Sequence, residues 1–584
     1  MPEPGNAPPR PATAVARLAR ENPAGLTPEL ADRSPREVVE IALSLPAVER
    51  LEVLLHAPKP MRAVRALPDA DLYLTARELG PADALPLLAL ASAAQLQHVL
   101  DLEAWRHDVF DPDRAGAWVA LLLEAGEPAV VRFLQAADDE LLALLFQRWL
   151  RVRQIENDED ASVGGSGHSD AGDERGLLSP DGANFFKPRI AEHGPAAQRI
   201  AAVFFHAQQE RYFRTLQSAT WELPSELEEQ ALHWRQSRLE EHGYLPFQEA
   251  LTAYAAPESI RARSQPLTPE DRDGLAAPRT TLLQLSQGNL LARAASQVDE
   301  PARETVLHEI ASLANRLVVA DGADLGEPEA HRAALRRAGA YAGLGFQARG
   351  VRTEEEAAAL LGQVPVLELF REGFARVAEL RDRARRLTRE GWPARHPRAL
   401  ELLDAPMRPR LQALLGPRPL YVPAPDEQEP AGLRDFRTLE EVEETRVSLE
   451  LAEVLGRVLV ERLGLDLHVV LGRAAPTESG VLRLSTIWLT ALGWQVARGE
   501  LRGDPLPPEA ASTFLRAVRE GAGPVATERL LRLLDTELSL SPREAAALRA
   551  FGRACLDRLG EETGGLDLDH PIDARAIATL MLEE

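Results

Sequence analysis

The stretch Ser34-Pro35-Arg36-Glu37-Val38-Val39-Glu40-Ile41-Ala42-Leu43-Ser44-Leu45-Pro46 sets the reading of the chain. Ser34 and Glu37 stand at the spacing at which each side chain satisfies the other's free backbone N–H at a helix start. Pro35 takes the first helical position, where a missing N–H does no harm. Val38, Ile41, Ala42 and Leu45 follow at helical spacing, and Pro46 closes the element. Start signals return at Pro46, Pro60, Pro68, Pro81, Ser92, Asp101, Asp113, Pro128 and Asp138, mostly about 8 to 14 residues apart. Each interval holds one short helix, which cannot cover its apolar side alone. Residues 34–155 therefore predict a superhelical array of stacked short helices, ending on the stripe Leu142, Leu145, Phe146 and Trp149.

Outward from the array, residues 1–33 are rich in Pro and Ala and read as a disordered arm. Residues 156–182 read as a flexible acidic linker, with seven acidic side chains and no Lys or Arg between Glu156 and Glu174. Residues 183–300 form an aromatic-rich helical domain, in which Ala201, Phe205, Tyr212 and Leu216 share one face. A second helix is expected there from a Ser225–Glu228 capping box to Gly243, burying Leu227, Ala231 and Trp234. Residues 301–430 predict a helical domain with one continuous run over 353–390. Residues 431–584 predict a C-terminal bundle with capping signatures at Thr438 and Ser541 and a last helix over 572–582. Only Leu465–Leu471 reads as a strand. The expected fold class is all-α.

The cadence Leu67-Pro68-Asp69-Ala70-Asp71 through Leu79-Gly80-Pro81-Ala82-Asp83-Ala84 resembles the intracellular N-terminal domain of the magnesium transporter family MgtE, and the related helical units of the flagellar switch protein FliG. The similarity covers about 34–150, and the chain as a whole resembles a bacterial family of unknown function. That resemblance implies a fold and no activity, and no magnesium-sensing residue is carried over from it.

Composition narrows the partners. With 66 basic and 90 acidic side chains the formal net charge is -24, which opposes phosphate-backbone binding, so nucleic acid is not an expected partner. Lys59 and Lys187 are the only lysines, and neither lies in a phosphate-loop context. Cys555 stands alone, which excludes an internal disulfide. The Pro-rich N-terminus lacks the apolar run of a signal peptide, and no stretch has the length and apolarity of a membrane span. A cytoplasmic setting without membrane insertion, and without a cofactor, is expected.

Metalloprotease, nucleotide-binding and calcium-loop motifs are absent from the sequence, and Ser166 falls one glycine short of a nucleophile elbow. Two candidate sites remain. His206 and Glu210, one turn apart with Arg214 beyond them, offer two metal ligands that His233 or Glu229 would have to complete. The plainer reading is a Glu210–Arg214 ion pair on a solvated face. Between Arg371 and Arg398, nine arginines face four carboxylates, a local balance of 9 - 4 = +5. Within that run Arg381, Arg383, Arg385, Arg386 and Arg389 are the candidate forks for an acidic protein segment, against the plainer reading of a charged helix face. Trp488, Trp494 and Cys555 read as core. The expected function is a noncatalytic helical scaffold or regulatory adaptor that binds a protein partner. The alternatives are a divalent-cation-responsive regulator and an enzyme with an unrecognised site.

Overall fold

The computed structural model describes residues 11–154, 177–257, 289–299, 302–423, 432–473, 482–568 and 577–583. The chain divides into two compact units, Met1–Phe346 with Gly350–Arg371 and Gln347–Arg349 with Glu372–Glu584. Both are built from helices, and the fold is all-α with small sheets.

Among the described residues of the first unit eleven α-helices precede the acidic stretch: α1 (Pro11–Glu21), α2 (Leu26–Leu30), α3 (Pro35–Leu43), α4 (Ala47–Leu55), α5 (Pro60–Arg65), α6 (Asp69–Leu79), α7 (Leu85–Leu90), α8 (Ala93–Glu103), α9 (Pro112–Ala125), α10 (Glu127–Ala136) and α11 (Asp139–Trp149). The Ser34 box forms as spaced: Glu37 accepts the Ser34 N–H at 2.8 Å and Ser34 accepts that of Glu37 at 3.3 Å. Residues 11–30, expected to lack structure, are mostly helical. Val15 with Ala19 and Leu26 with Leu30 each make a one-turn apolar pair, and all four are buried in the core of the array.

Helices this short leave a large share of their C-terminal carbonyls outside any intrahelical ladder. Polar side chains from other helices satisfy them. Arg50 reaches Leu45 O beyond α3 at 3.1 Å, and Gln95 donates to Val64 O in the last turn of α5 at 3.0 Å and to Leu67 O beyond it at 2.8 Å. Arg132 donates to Ala89 O and Ala91 O at the end of α7, and Arg211 to Leu134 O and Ala137 O at the end of α10. One guanidinium spans two carbonyls in a way an ammonium does not. The arginine-for-lysine bias thus has a structural use here.

Two small sheets interrupt the helices. β1 (Trp105–Arg106) and β2 (Val109–Phe110) form a hairpin whose turn residue His107 has φ +54°. β3 (Leu150–Gln154), β4 (Leu177–Leu178) and β5 (Asn184–Pro188) form an antiparallel sheet in the order β3-β5-β4. Most of the expected linker, 155–176 with Ser166, lies outside the described residues; its last part carries β4 and a turn.

Beyond the sheet, the helices Gly194–Ala207 and Gln209–Trp221 pack on α10 and α11, followed by Pro224–Glu241. The expected Ser225–Glu228 box does not form. That helix starts at Pro224 without a side-chain cap, and Glu228 instead accepts the Phe110 N–H and pairs with Arg148. Its buried stripe is Leu227, Ala231, Arg235 and Leu239, and Trp234 points outward at 47% exposure. The helix Ala302–Ala320 continues this unit. The run over 353–390 is two helices, Glu354–Leu361 and Val366–Glu390, parted at Pro365, which lacks the N–H a continuing helix needs.

The second unit contains the helices Met407–Leu415, Leu439–Leu455, Leu484–Arg498, Pro508–Arg519, Gly523–Leu538 and Pro542–Thr563. The Thr438 and Ser541 boxes both form. The expected strand at 465–471 is a helix, Leu467–Arg473, because the Asp466 carboxylate accepts the N–H groups of His468 and Val469 and starts it. Gly456 opens a π-helical segment, Gly456–Arg462, and a side chain there would collide with the Trp392 indole, whose N–H donates to Ala452 O at 3.0 Å. Of the helix expected over 572–582, residues 572–576 lie outside the described ones, and 577–582 are not helical, with Leu582 bridged to Leu506.

Candidate functional site

The Leu-Pro-Asp cadence at 67–69 turns the chain into α6 and makes Asp69 its first residue. Pro68 and Asp69 form one wall of a cleft of about 850 Å³ in the first unit. The opposite wall is the Ala302–Ala320 helix, from His308 to Arg316, and the end of the Pro224–Glu241 helix supplies Glu241 and His242. Gly243 makes this junction possible. Its φ is +86°, and a Cβ there would lie 2.6 and 2.7 Å from Oγ and Cα of Ser312, which lines the same cleft. Asn315 fixes the turn by donating to His242 O at 2.8 Å.

Charge at the cleft is uneven. Arg36 comes from α3, Arg65 from the end of α5 and Arg316 from the Ala302–Ala320 helix. Arg65 makes only a long bond to Leu90 O at 3.4 Å, and Arg316 is held by Glu249 O and Thr252 Oγ1. None of the three pairs with a carboxylate among the described residues. Burial and the neighbouring Arg371 hold the Arg316 guanidinium below its usual range, partly opposed by Glu249. Glu309 is occupied by the Val366 N–H at 3.0 Å. Asp69 Oδ2 and His242 Nε2 stand 3.9 Å apart, beyond a direct hydrogen bond. Burial raises the Asp69 carboxyl and lowers the His242 imidazole, each partly opposed by the other's charge. The cleft can therefore offer guanidinium forks to a carboxylate and let His242 gain a proton as negative charge arrives.

Behind His242 lies a buried polar layer. The His98 ring sits 4.4 Å from that of His242, only 4% exposed, and its Nε2 is buried without a hydrogen-bond partner. Burial drives the His98 imidazole well below its usual range, helped by His242, His331 and Arg238. Arg238 grips Asp101 through Nε at 2.7 Å and Nη2 at 2.9 Å and reaches Asp138 at 2.8 Å, and Gln97 adds a bond to Asp101 at 2.8 Å. Burial raises the Asp138 carboxyl against the pull of Arg238. Tyr244 and His331 meet at 2.8 Å, and His331 Nδ1 lies 3.2 Å from Glu327 O. A carbonyl only accepts, so Nδ1 carries the proton, Nε2 accepts from Tyr244, and the ring is neutral. Its imidazole is lowered by burial.

The profile of a family of unknown function, DUF6178, matches residues 27–583. The chain belongs to the DUF6178 family. No curated protein and no solved structure matches it.

Within this DUF6178 chain the residues singled out from sequence do not gather at the cleft. His206 ends one helix and Glu210 lies in the next, because the backbone breaks at Gln208 (φ -149°, ψ 64°). Both are exposed, and Arg214 pairs with Asp139 at 3.1 Å in place of Glu210. Among the described residues, no three His, Cys, Asp or Glu side chains are grouped to hold a metal ion. The arginine-rich helix is in the second unit from Glu372 onward. Arg383 is taken up by Glu453 at 2.6 and 2.9 Å and Glu450 at 3.1 Å, and Arg381 donates to Pro417 O at 3.2 Å. Arg385 lies 3.9 Å from Asp382, and Arg386 and Arg389 are exposed. Trp488 and Trp494 are core residues, Trp494 donating to Asp504 O at 2.8 Å. Cys555 is buried, and burial followed by the charge of Asp404 pushes its thiol up to about 12.

Proposed function

We propose that this chain is a noncatalytic helical adaptor whose first unit receives an acidic segment of a protein partner in the cleft. The observation that carries the reading is the convergence of Arg36, Arg65 and Arg316 on one concavity with no carboxylate partner among the described residues. Other arginines of this unit are satisfied internally, as Arg238 is by Asp101 and Arg114 by Asp324 at 2.5 Å. In a chain of net charge -24, guanidiniums that meet no carboxylate among the described residues, collected at one place, match an anionic guest. A volume of about 850 Å³ is suited to a few side chains of such a guest. Asp69 would be the residue that a correctly placed acidic group has to avoid, and this supplies register.

The likeness of 34–150 to the MgtE intracellular N-terminal domain belongs to this proposal, as a family of superhelices that present a concave face. So does a cytoplasmic setting; among the described residues no helix is long and apolar enough to cross a membrane. The test is fluorescence anisotropy of the full chain with a labelled Glu/Leu peptide and its Lys/Leu counterpart. The acidic peptide should bind, and the double variant Arg36→Glu, Arg65→Glu should weaken it by about tenfold or more, as should raising salt well past physiological ionic strength. Equal binding of the basic peptide, or an unaltered affinity in the double variant, would refute the reading.

A further inference from the structure

Arg235 occupies a position in the Pro224–Glu241 helix where the stripe Leu227, Ala231, Leu239 calls for an apolar side chain. It is only 3% exposed. Its Nε donates to Asp101 O at 2.6 Å, its Nη1 to His107 O at 3.2 Å, and its guanidinium lies 5.3 Å from the centre of the Trp105 ring. Among the described residues no carboxylate pairs with it, and its two hydrogen bonds use Nε and Nη1. Burial pushes its guanidinium down to about 10, against the more distant charges of Asp101 and Asp108. A buried cation held by neutral carbonyls alone is costly.

The same side chain lines a second cavity of the first unit, about 500 Å³ in volume. Its wall is mostly apolar, with Leu239, Tyr244, Leu245, Pro246, Val319 and Leu325 and, beside them, Phe247, itself 49% exposed, while Gln236 and Gln248 also line it. His107 closes one end, its backbone held at φ +54° with its carbonyl turned to Arg235. Asp108, on the same turn, also lines the cavity and is exposed, and it makes no ion pair with Arg235. This is a mainly apolar chamber with one buried guanidinium that no carboxylate neutralises, the arrangement that orients a small amphiphile by its charged end.

We propose that this cavity binds a free alkyl or aryl carboxylate, with the carboxylate on the Arg235 Nη2 face and the apolar body against Leu239, Val319 and Leu325. The site is distinct from the cleft, although one helix feeds both. An acidic peptide at Arg36 and Arg65 and a carboxylate at Arg235 are separate events. Calorimetry on the full chain with decanoate, kept below its micelle concentration, tests the idea against decanol and acetate. Decanoate should bind at least about tenfold more tightly than decanol, and acetate should give no signal, because charge and apolar body are both needed. Arg235→Met should abolish the preference for the acid over the alcohol. Should that variant lose its folded circular dichroism, Ala323→Trp, which fills the chamber and leaves Arg235 in place, should abolish decanoate binding while the acidic peptide still binds. Decanol binding as tightly as decanoate, no decanoate binding at all, or an unchanged decanoate affinity in Ala323→Trp overturns the proposal.

Discussion

Acidification through the ordinary imidazole range should loosen the first unit, and His98 is the group that makes this so. His98, His242 and His331 are all held below the ordinary imidazole range, with burial the largest cause in each case. For a group of depressed pKa the folded state stays neutral while the unfolded chain takes up a proton. Stability is therefore full above the unfolded value of about 6.5 and falls as the pH drops through it. Between pH 7.5 and 5.5, a histidine that stays neutral in the fold contributes a loss of about 1.4 kcal/mol. His98 should reach that value, and the three together up to about 4 kcal/mol, with His242 giving less because Asp69 opposes its shift. Asp69, Asp138 and Asp321 have raised carboxyls and act in the opposite sense, so the comparison of His98→Gln with the parent chain, which share those carboxylates, is what isolates His98. Pulse-labelling hydrogen exchange across a urea series, read on peptides of α8, reports the stability of this unit alone. His98→Gln should remove about one third of the pH-dependent loss. If α8 in His98→Gln keeps the whole pH dependence, the assignment to buried neutral histidine is wrong.

Four further outcomes follow from individual contacts. Asp101→Asn removes the charge that Arg238 grips from an almost fully buried site, and a loss of about 3–5 kcal/mol in the first unit is expected by urea denaturation. Arg398 and Glu401 form a solvent-exposed ion pair at 2.7 Å, and Glu401→Gln should leave the urea midpoint where it is. Gly456→Ala drives a methyl into the Trp392 indole, so peptides of the second unit should lose about 1–3 kcal/mol of exchange protection while those of the first do not change. Cys555, with its thiol pushed up to about 12, should react with iodoacetamide at pH 8 at least about a hundredfold more slowly than glutathione until the protein is unfolded. A native-state rate close to that of glutathione would show that the thiol is not buried.

What was legible in the sequence follows the range of the interactions involved. Ser34–Glu37, Thr438–Glu441 and Ser541–Glu544 are local, and all three boxes close as their spacing dictates. The Ser225–Glu228 box has the same spacing and fails, because Phe110 and Arg148 offer Glu228 better partners from more than 75 residues away. The continuous face of His206 and Glu210 assumed an unbroken helix, and nothing apolar or proline-like marks the break at Gln208. Trp234 was taken for the buried member of its stripe on apolarity alone. The turn at β1–β2 presents a carbonyl at that place instead, and Arg235 goes inward to meet it. The cleft was hidden for a related reason. Asp69 stood in the quoted cadence, but its neighbours come from positions 36, 65, 242 and 308–316, and no sequence period relates them.

The shared end-capping has a consequence for how this molecule can be divided. Modular solenoids tolerate loss of a module because each unit finishes its own hydrogen bonding with the next. Here α10 is finished by Arg211 and the Gln209–Trp221 helix by Gln147, so each side of the 155–176 stretch completes the other. A protease that severs that stretch should leave the two pieces associated, whereas a gene truncated there should yield an insoluble product.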